Sequence, residues 1–332
     1  MSMWINSPLG MKGTVMADHQ ELFVGIDVGG TSVKEGLFTR EGELLGKVSV
    51  PTPPLVDEAG YAAVTNGIER LLSEAGCLAE HLLGIGLAVP CPVPADGNVQ
   101  MMVNISLDFP GLRAALGSAF PQAAVRFAND ANAAAMGELW QGSARGANNM
   151  VFVTIGTGVG GGVVVDGNVI AGTHGAGGEI GHICMNPHET RVCGCGNRGC
   201  LEQYSSATGV VNNYLMECDK RGVEPIELSG PSDSRSVFQA CREGDEVALA
   251  AAETMAKYLG RALAVIGSIV DPETYVIGGG ASASADVYLD KVRAYYGEYA
   301  LTVQKEVPIE VATLGNDAGI IGAAYVALKA AE

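Results

Sequence analysis

Basic side chains are scarce in this chain. Its 20 lysines and arginines face 37 aspartates and glutamates, for a formal net charge of −17. So acidic a protein repels nucleic acid and anionic membranes, and neither is expected as a partner. An anionic ligand such as ATP would need local positive potential or Mg²⁺. Long apolar runs are also missing. The most apolar stretch, residues 151–165, is broken by glycines and two threonines and cannot span a bilayer. The first twenty residues carry one lysine and no apolar segment leading to a small-residue cleavage site, so no signal peptide is expected. Met1, Met3, Met11 and Met16 read there as alternative starts or a flexible leader over residues 1–20. Neither short-period repeats nor low-complexity tracts occur. A composition of 48% hydrophobic and 17% charged residues excludes disorder, and 332 residues suit two lobes with separate cores.

Eight cysteines do not make a disulfide framework in a chain of this length. Cys77, Cys91, Cys184, Cys218 and Cys241 are scattered, as buried free thiols are. A reducing, cytoplasmic setting is expected. The other three lie together: Glu179, Gly181 and His182 are followed by Cys193, Cys195, Cys200 and then Glu202. One imidazole and three thiols complete a tetrahedral zinc set, with no position left for a water nucleophile. Such a closed Cys₃His site builds structure, and here it would pin a glycine-rich loop. Glu179 and Glu202 would then be held in fixed positions, where two carboxylates beside an imidazole suit the hydroxyls of a sugar.

Strands are expected over 22–27, 33–39 and 43–50, split by glycine turns, and a helix over 57–74 ending at Gly76. Further strands are expected over 84–89 and 125–128, followed by an alanine-rich helix over 131–139. A second meander begins near Met150, with strands over 151–155, 162–165 and 169–171. The remainder alternates: helix 245–269, strand 274–277, helix 285–296, strand 309–312 and helix 317–330. The pattern is a duplication in outline. Two such α/β lobes facing each other would put both glycine turns at one cleft.

Those turns have phosphate-handling chemistry. Between two strands run Asp27, Val28, Gly29, Gly30, Thr31 and, further on, Lys34. The glycines free backbone N–H groups for an anion, Thr31 adds a hydroxyl, and Asp27 can hold Mg²⁺ directly or through water. The second turn, with Gly156, Thr157, Gly158, Gly160, Gly161 and Gly162, is richer in glycine than a plain hairpin needs. It lacks the Gly-Lys-Ser/Thr of a Walker loop and opens no helix, so neither a P-loop nor a Rossmann site is expected. Gly278, Gly279 and Gly280 lie between a strand and a helix, where a nucleoside can approach the backbone. Asn129 and Asp130 sit at a strand-to-helix junction. One of them is expected to cap the helix. The helix N-terminus favours the charged form of Asp130, which is expected to be ionised and ready to accept a proton. Phosphoryl transfer to a hydroxyl needs such an acceptor in line with the γ-phosphate.

These motifs, in this order, resemble the ROK family (repressor, open reading frame, kinase) from about Glu21 onward. The resemblance lies in residues 27–34, in Asn129-Asp130-Ala131-Asn132-Ala133, in the turn from Gly156, in Glu179-Ile180-Gly181-His182, and in the cysteine cluster with Glu202. It implies a two-lobed actin-like ATPase fold, ribonuclease H-like in each lobe, with an interlobe cleft. The lobes are expected at residues 21–128 with 315–332, and at 129–314. It further implies that Asp130 takes the proton from a sugar 6-hydroxyl. Asn104, Asn129, Glu179, His182 and Glu202 match sugar-contacting positions, with His182 serving zinc through one ring nitrogen and sugar through the other. A homodimer or homotetramer and closure around substrate are likewise implied. Three departures stand out: Pro90-Cys91-Pro92 where the family has Pro-Gly-Pro, Val103-Asn104-Ile105 where it has Pro-Asn-Leu, and Gly177 where it has alanine.

The expectation is an ATP-dependent hexose kinase using Mg²⁺ and structural Zn²⁺, glucose first among substrates. Alternatives are an N-acetylmannosamine or N-acetylglucosamine kinase, and less so a polyphosphate-using enzyme. A sugar-sensing regulator of the same family comes from a different class. The twenty or so residues before the first strand are too few for a DNA-binding helix-turn-helix domain, and Asp130 argues for turnover.

Overall fold

The structure, a computed structural model, describes residues 21–94, 99 and 106–332. The leader and Asn104, with Val103 and Ile105, lie outside the described residues. The first half runs β1 (Leu22–Val28), β2 (Ser32–Thr39), β3 (Leu44–Pro51), α1 (Glu58–Ala75), β4 (Leu82–Val89), α2 (Phe109–Ala119), β5 (Ala124–Asn129) and α3 (Asp130–Gln141). The second begins with β6 (Met150–Ile155), β7 (Val159–Val165) and β8 (Asn168–Val169), then α4 (Glu202–Ser205), α5 (Ala207–Arg221), α6 (Ser234–Arg242) and α7 (Glu246–Val270). It closes with β9 (Thr274–Gly278), α8 (Ala285–Tyr299), β10 (Ile309–Val311) and α9 (Ala318–Ala331).

Two five-stranded sheets result, in the orders β3-β2-β1-β4-β5 and β10-β9-β6-β7-β8. In each, the first three strands form an antiparallel meander and the last two add in parallel to the first. Position by position the orders are identical, so the expected duplication is real at the level of topology. Among the described residues no helix is long and apolar enough to cross a membrane.

Local chemistry explains most boundaries. Asp57 caps α1 by accepting from the Gly60 N–H, and Gly76, with φ +67, ends it in the left-handed conformation open to glycine. Helices α2, α5 and α6 were not anticipated. Pro110, Gly111 and Gly117 make α2 read as loop, and the apolar stripe of α5 is interrupted by a buried asparagine, Asn213. The strand expected at 169–171 is only the two-residue β8, one position earlier.

Sheet one is covered by α1 and α2 on one face and by α9 on the other; sheet two by α3 on one face and by α5 to α8 on the other. Helix α9 lies almost on the strands. A Cβ at Gly25 would come within 1.7 Å of the Ile320 carbonyl oxygen, and one at Gly86 within 1.8 Å of that of Ala323. Helices α3 and α9 then meet backbone to backbone at Gly322, where a Cβ would come within 1.6 Å of the Ala133 oxygen. Through this crossing α3 links the sheets, and its first residue, Asp130, lies between the two halves.

Two buried glutamates differ sharply. Glu138 of α3 is wholly buried, and its Oε2 accepts from the N–H and hydroxyl of Ser143 and from the Thr313 N–H, while Oε1 accepts from Leu314 N–H at 2.9 Å. It thereby ties the chain leading into α9 to α3. Glu35 of β2 is 1% exposed and neither of its carboxyl oxygens has a hydrogen-bond partner. It points at α1, where only the missing side chain of Gly67 makes room. Burial pushes its carboxyl up to about 8.

Candidate functional site

The ends of β4 and β5 and the start of α3 face β6, β7 and the metal-loop segment across an open cavity of about 490 Å³. Asn129, Asp130, Glu179, His182 and Glu202 all line it, with Pro90, Cys91 and Pro92 beside Asn129. Every described residue expected to contact sugar is therefore in one cavity. Asn129 is the helix cap: its Oδ1 accepts from the N–H groups of Ala131 and Asn132 at 3.0 and 3.1 Å, while its amide donates to the Cys91 carbonyl. Capping by Asn129 leaves the Asp130 carboxylate, among the described residues, with one hydrogen bond, from the Ala131 N–H to Oδ1 at 2.8 Å, and its other oxygen free for the cavity it lines.

Asp130 corrects one electrostatic expectation. Solvent reaches the carboxylate from the cavity mouth, but protein crowds it on the other sides. Desolvation is the largest influence and raises its pKa; the Ala131 N–H opposes this, and the nearby charges of Asp27 and Glu179 add to the rise. The helix N-terminus does not prevail. A carboxylate raised in this way is a better proton acceptor than a free one.

The metal set also assembles. The ligand atoms of His182, Cys193, Cys195 and Cys200 all lie within 4.8 Å of one another. Cys193 Sγ is 3.8 Å from His182 Nδ1, and the sulfurs of Cys195 and Cys200 are 3.7 Å apart. A tetrahedron with arms of about 2.3 Å has edges of about 3.8 Å, so the spacing fits a small dication. Burial pushes the Cys200 thiol up to about 12, with the neighbouring sulfurs adding, and such thiols gain most from a cation that holds them as thiolates. With Nδ1 toward the sulfurs, His182 Nε2 faces the cavity 4.0 Å from Glu179 Oε2. Of the scattered cysteines, Cys91, Cys218 and Cys241 are buried, but Cys184 is exposed, contrary to expectation.

Glu202 joins the metal loop to the glycine turn. Its Oε2 accepts from the Val159 N–H at 3.0 Å, and Cys193 Sγ lies 3.5 Å from its Oε1. Gly158 must be glycine for this approach, since a Cβ there would sit 2.3 Å from Oε2. The turn itself is shorter than its glycines suggested: Gly160, Gly161 and Gly162 belong to β7. Gly162 there allows α3 to close on the strand, its Cβ position lying 2.6 Å from that of Ala135.

A second cavity, of about 680 Å³, shares Gly156 with the first. Gly156, Thr157, Gly280 and Ala281 line it, facing residues 229–235, a wall that no sequence motif announced. Gly279 lies beside it with φ +80 and packs on β6. In the first half, Gly29, Gly30 and Thr31 form the turn between β1 and β2. Asp27 ends inside β1, 3.7 Å from Lys34 Nζ, and desolvation raises its pKa against the opposing charge of Lys34. Cys91, one of the scattered thiols and the centre of the Pro90-Cys91-Pro92 departure expected beside the sugar pocket, lines the first cavity.

A two-sheet α/β body of this kind is shared with known proteins. The chain matches the ROK family over residues 23–330. The chain belongs to the ROK family. Among ROK relatives, a glucokinase of Halalkalibacterium halodurans is 38% identical over 92% of this chain and 94% of its own. A glucokinase of Streptomyces coelicolor is 32% identical over 92% and 97%. A solved ROK hexokinase from Thermus thermophilus superposes with a TM-score of 0.76 at 33% identity, covering 93% of this chain and 99% of that one. A ROK glucokinase from Streptomyces griseus, solved with glucose and AMPPNP, gives a TM-score of 0.70 at 27% identity, over 93% and 99%. The fold is accordingly that of the ROK sugar kinases, the actin-like two-lobed architecture.

Proposed function

We propose that this ROK protein transfers the γ-phosphoryl group of ATP to the 6-hydroxyl of a hexose, glucose foremost, with Asp130 as general base. The observation that carries this reading is the joining of two cavities at Gly156: one holds a carboxylate with a free oxygen among sugar-type ligands, the other is lined by glycine backbone. The curated glucokinases among its relatives, at 32–38% identity, support the same activity.

Glucose lies in the first cavity with its hydroxyls on Asn129, Glu179, His182 and Glu202, and its 6-hydroxyl on the free oxygen of Asp130. Asp130 accepts that proton as the hydroxyl attacks phosphorus, with the Ala131 N–H holding the other oxygen in place. Asp27, Gly29, Gly30, Thr31 and Lys34 meet the phosphate chain and its Mg²⁺ from the first lobe. Gly156, Thr157 and Gly158 meet it from the second, and Gly279 and Gly280 flank the nucleoside. His182, Cys193, Cys195 and Cys200 would hold Zn²⁺, which would supply structure by fixing the loop that presents His182 and Glu202. The lobes are taken as residues 21–128 with 315–332, and 129–314, and the assembly as a cytoplasmic homodimer or homotetramer.

The test is ADP release from MgATP with glucose, mannose, allose, fructose, N-acetylglucosamine and N-acetylmannosamine, with Asp130→Asn alongside. Turnover is expected with glucose and to fall about 10²–10⁴-fold in Asp130→Asn, while glucose binding changes little. Because its pKa is raised, wild-type activity should decline with falling pH above the ordinary aspartate range, as the base takes up its proton. Normal turnover in Asp130→Asn removes it as the base. Preference for an N-acetylated sugar transfers the assignment to that substrate.

A further inference from the structure

The wall formed by residues 229–235 belongs to none of the motifs that carry the family resemblance, yet it bounds the cavity that adjoins the glycine turn. Its conformation is set by one carboxylate. Asp233 Oδ2 accepts from the N–H and hydroxyl of Ser229 at 2.9 and 2.8 Å and from the Ser236 hydroxyl at 2.8 Å; Oδ1 accepts from the Ser236 N–H at 3.2 Å. The Ser229 N–H leads these hydrogen bonds in holding the carboxyl down to about 2, so Asp233 stays ionised with its lone pairs occupied.

Two residues on stands Arg235, the only cation among the residues lining this cavity. It is exposed, and among the described residues it forms no ion pair and donates no hydrogen bond. Arg191, on the far side of the glycine turn, is by contrast paired with Glu189 at 2.6 Å. Across the cavity, a Cβ built at Gly156 or Gly280 would meet nothing within 4 Å, so both present bare backbone to open space. The surroundings are acidic: Asp130, Glu179 and Glu202 line the adjoining cleft and the charge of Asp27 acts on Asp130, in a chain of net charge −17. A polyanion entering here needs a cation, and a guanidinium whose donors are free matches phosphate geometry.

We propose that Arg235 binds the phosphate chain of the nucleotide, from the first turn of α6, which Asp233 caps. The inference rests on the kinase reading and adds to it a residue outside its motifs. Arg235→Gln and Arg235→Lys would be compared with the full-length wild type in KM for MgATP and glucose. Calorimetric Kd for ADP and for adenosine would be measured at low and moderate salt. Arg235→Gln should raise KM for MgATP and Kd for ADP about tenfold, the scale of one charge-assisted contact. KM for glucose and Kd for adenosine should stay within about two-fold, and Arg235→Lys should fall between. The ADP difference should shrink as salt rises. Unchanged ADP binding in Arg235→Gln, with an active wild type, overturns this inference alone, as does an equal loss for ADP and adenosine. A wild type that neither binds ADP nor turns over MgATP overturns the kinase reading and this inference with it.

Discussion

In the first half of the molecule the glycine turn is secured by its neighbour: Thr52 donates its hydroxyl to the Gly29 carbonyl at 2.6 Å and its N–H to the Thr31 carbonyl at 3.2 Å. In the second half the corresponding turn is secured from far along the chain. Glu202 accepts from Val159, the Thr208 hydroxyl donates to the Thr157 carbonyl, and the Ala207 N–H donates to the Gly156 carbonyl. The two sheets repeat one strand order, so topology is not what separates them. The second turn is built into the start of α5 and, through Glu202, into the cysteine cluster. A change at the metal loop should therefore reach both cavities together, whereas the first turn needs only its own meander.

The sharpest way to break this asymmetry is Cys193→Ser. Structural zinc sites contribute on the order of 10 kcal/mol of binding free energy to folding, so metal content should fall from about one per chain and the melting temperature by more than about 10 °C. Glucose affinity should fall with it, because Glu202 and His182 are placed by the same loop. If glucose affinity survives once metal is lost, the coupling drawn here is wrong.

A smaller effect tests the joint between the halves. Glu138→Ala strands the N–H groups of Ser143, Thr313 and Leu314, which should cost about 2–4 kcal/mol in denaturant unfolding. A variant with wild-type stability would mean that solvent satisfies these amides.

The smallest change should improve the protein. Glu35 in the first half has no partner and a carboxyl raised to about 8. The unfolded chain ionises it near the ordinary value of 4.5, so this group penalises folding increasingly as pH rises from there to about 8. Glu35→Leu should raise stability by about 1–3 kcal/mol, more at pH 8 than at pH 5. Melting temperatures at the two pH values check this, and an equal gain at both would show that Glu35 is not titrating in the folded state.

Much of this molecule is legible from local residue order. The strands of the first meander, the end of α1 at Gly76 and the junction at Asn129 follow from periodicity and capping chemistry, which act over a few residues. The Cys₃His cluster was equally visible, because most of its ligands fall within one short loop. What the sequence could not announce depends on residues brought together from far apart. Residues 229–235 bound the second cavity only because α6 packs near the junction after β9. The raised pKa of Asp130 belongs to the same class: the helix N-terminus next to it was readable, but the desolvation that outweighs it comes from packing the two halves around one helix. Chain order determined most of the elements, the Cys₃His set and the carboxylate at the start of α3; the tertiary structure alone decided what surrounds them, since burial and charge at a site are summed over neighbours that sequence spacing does not reveal.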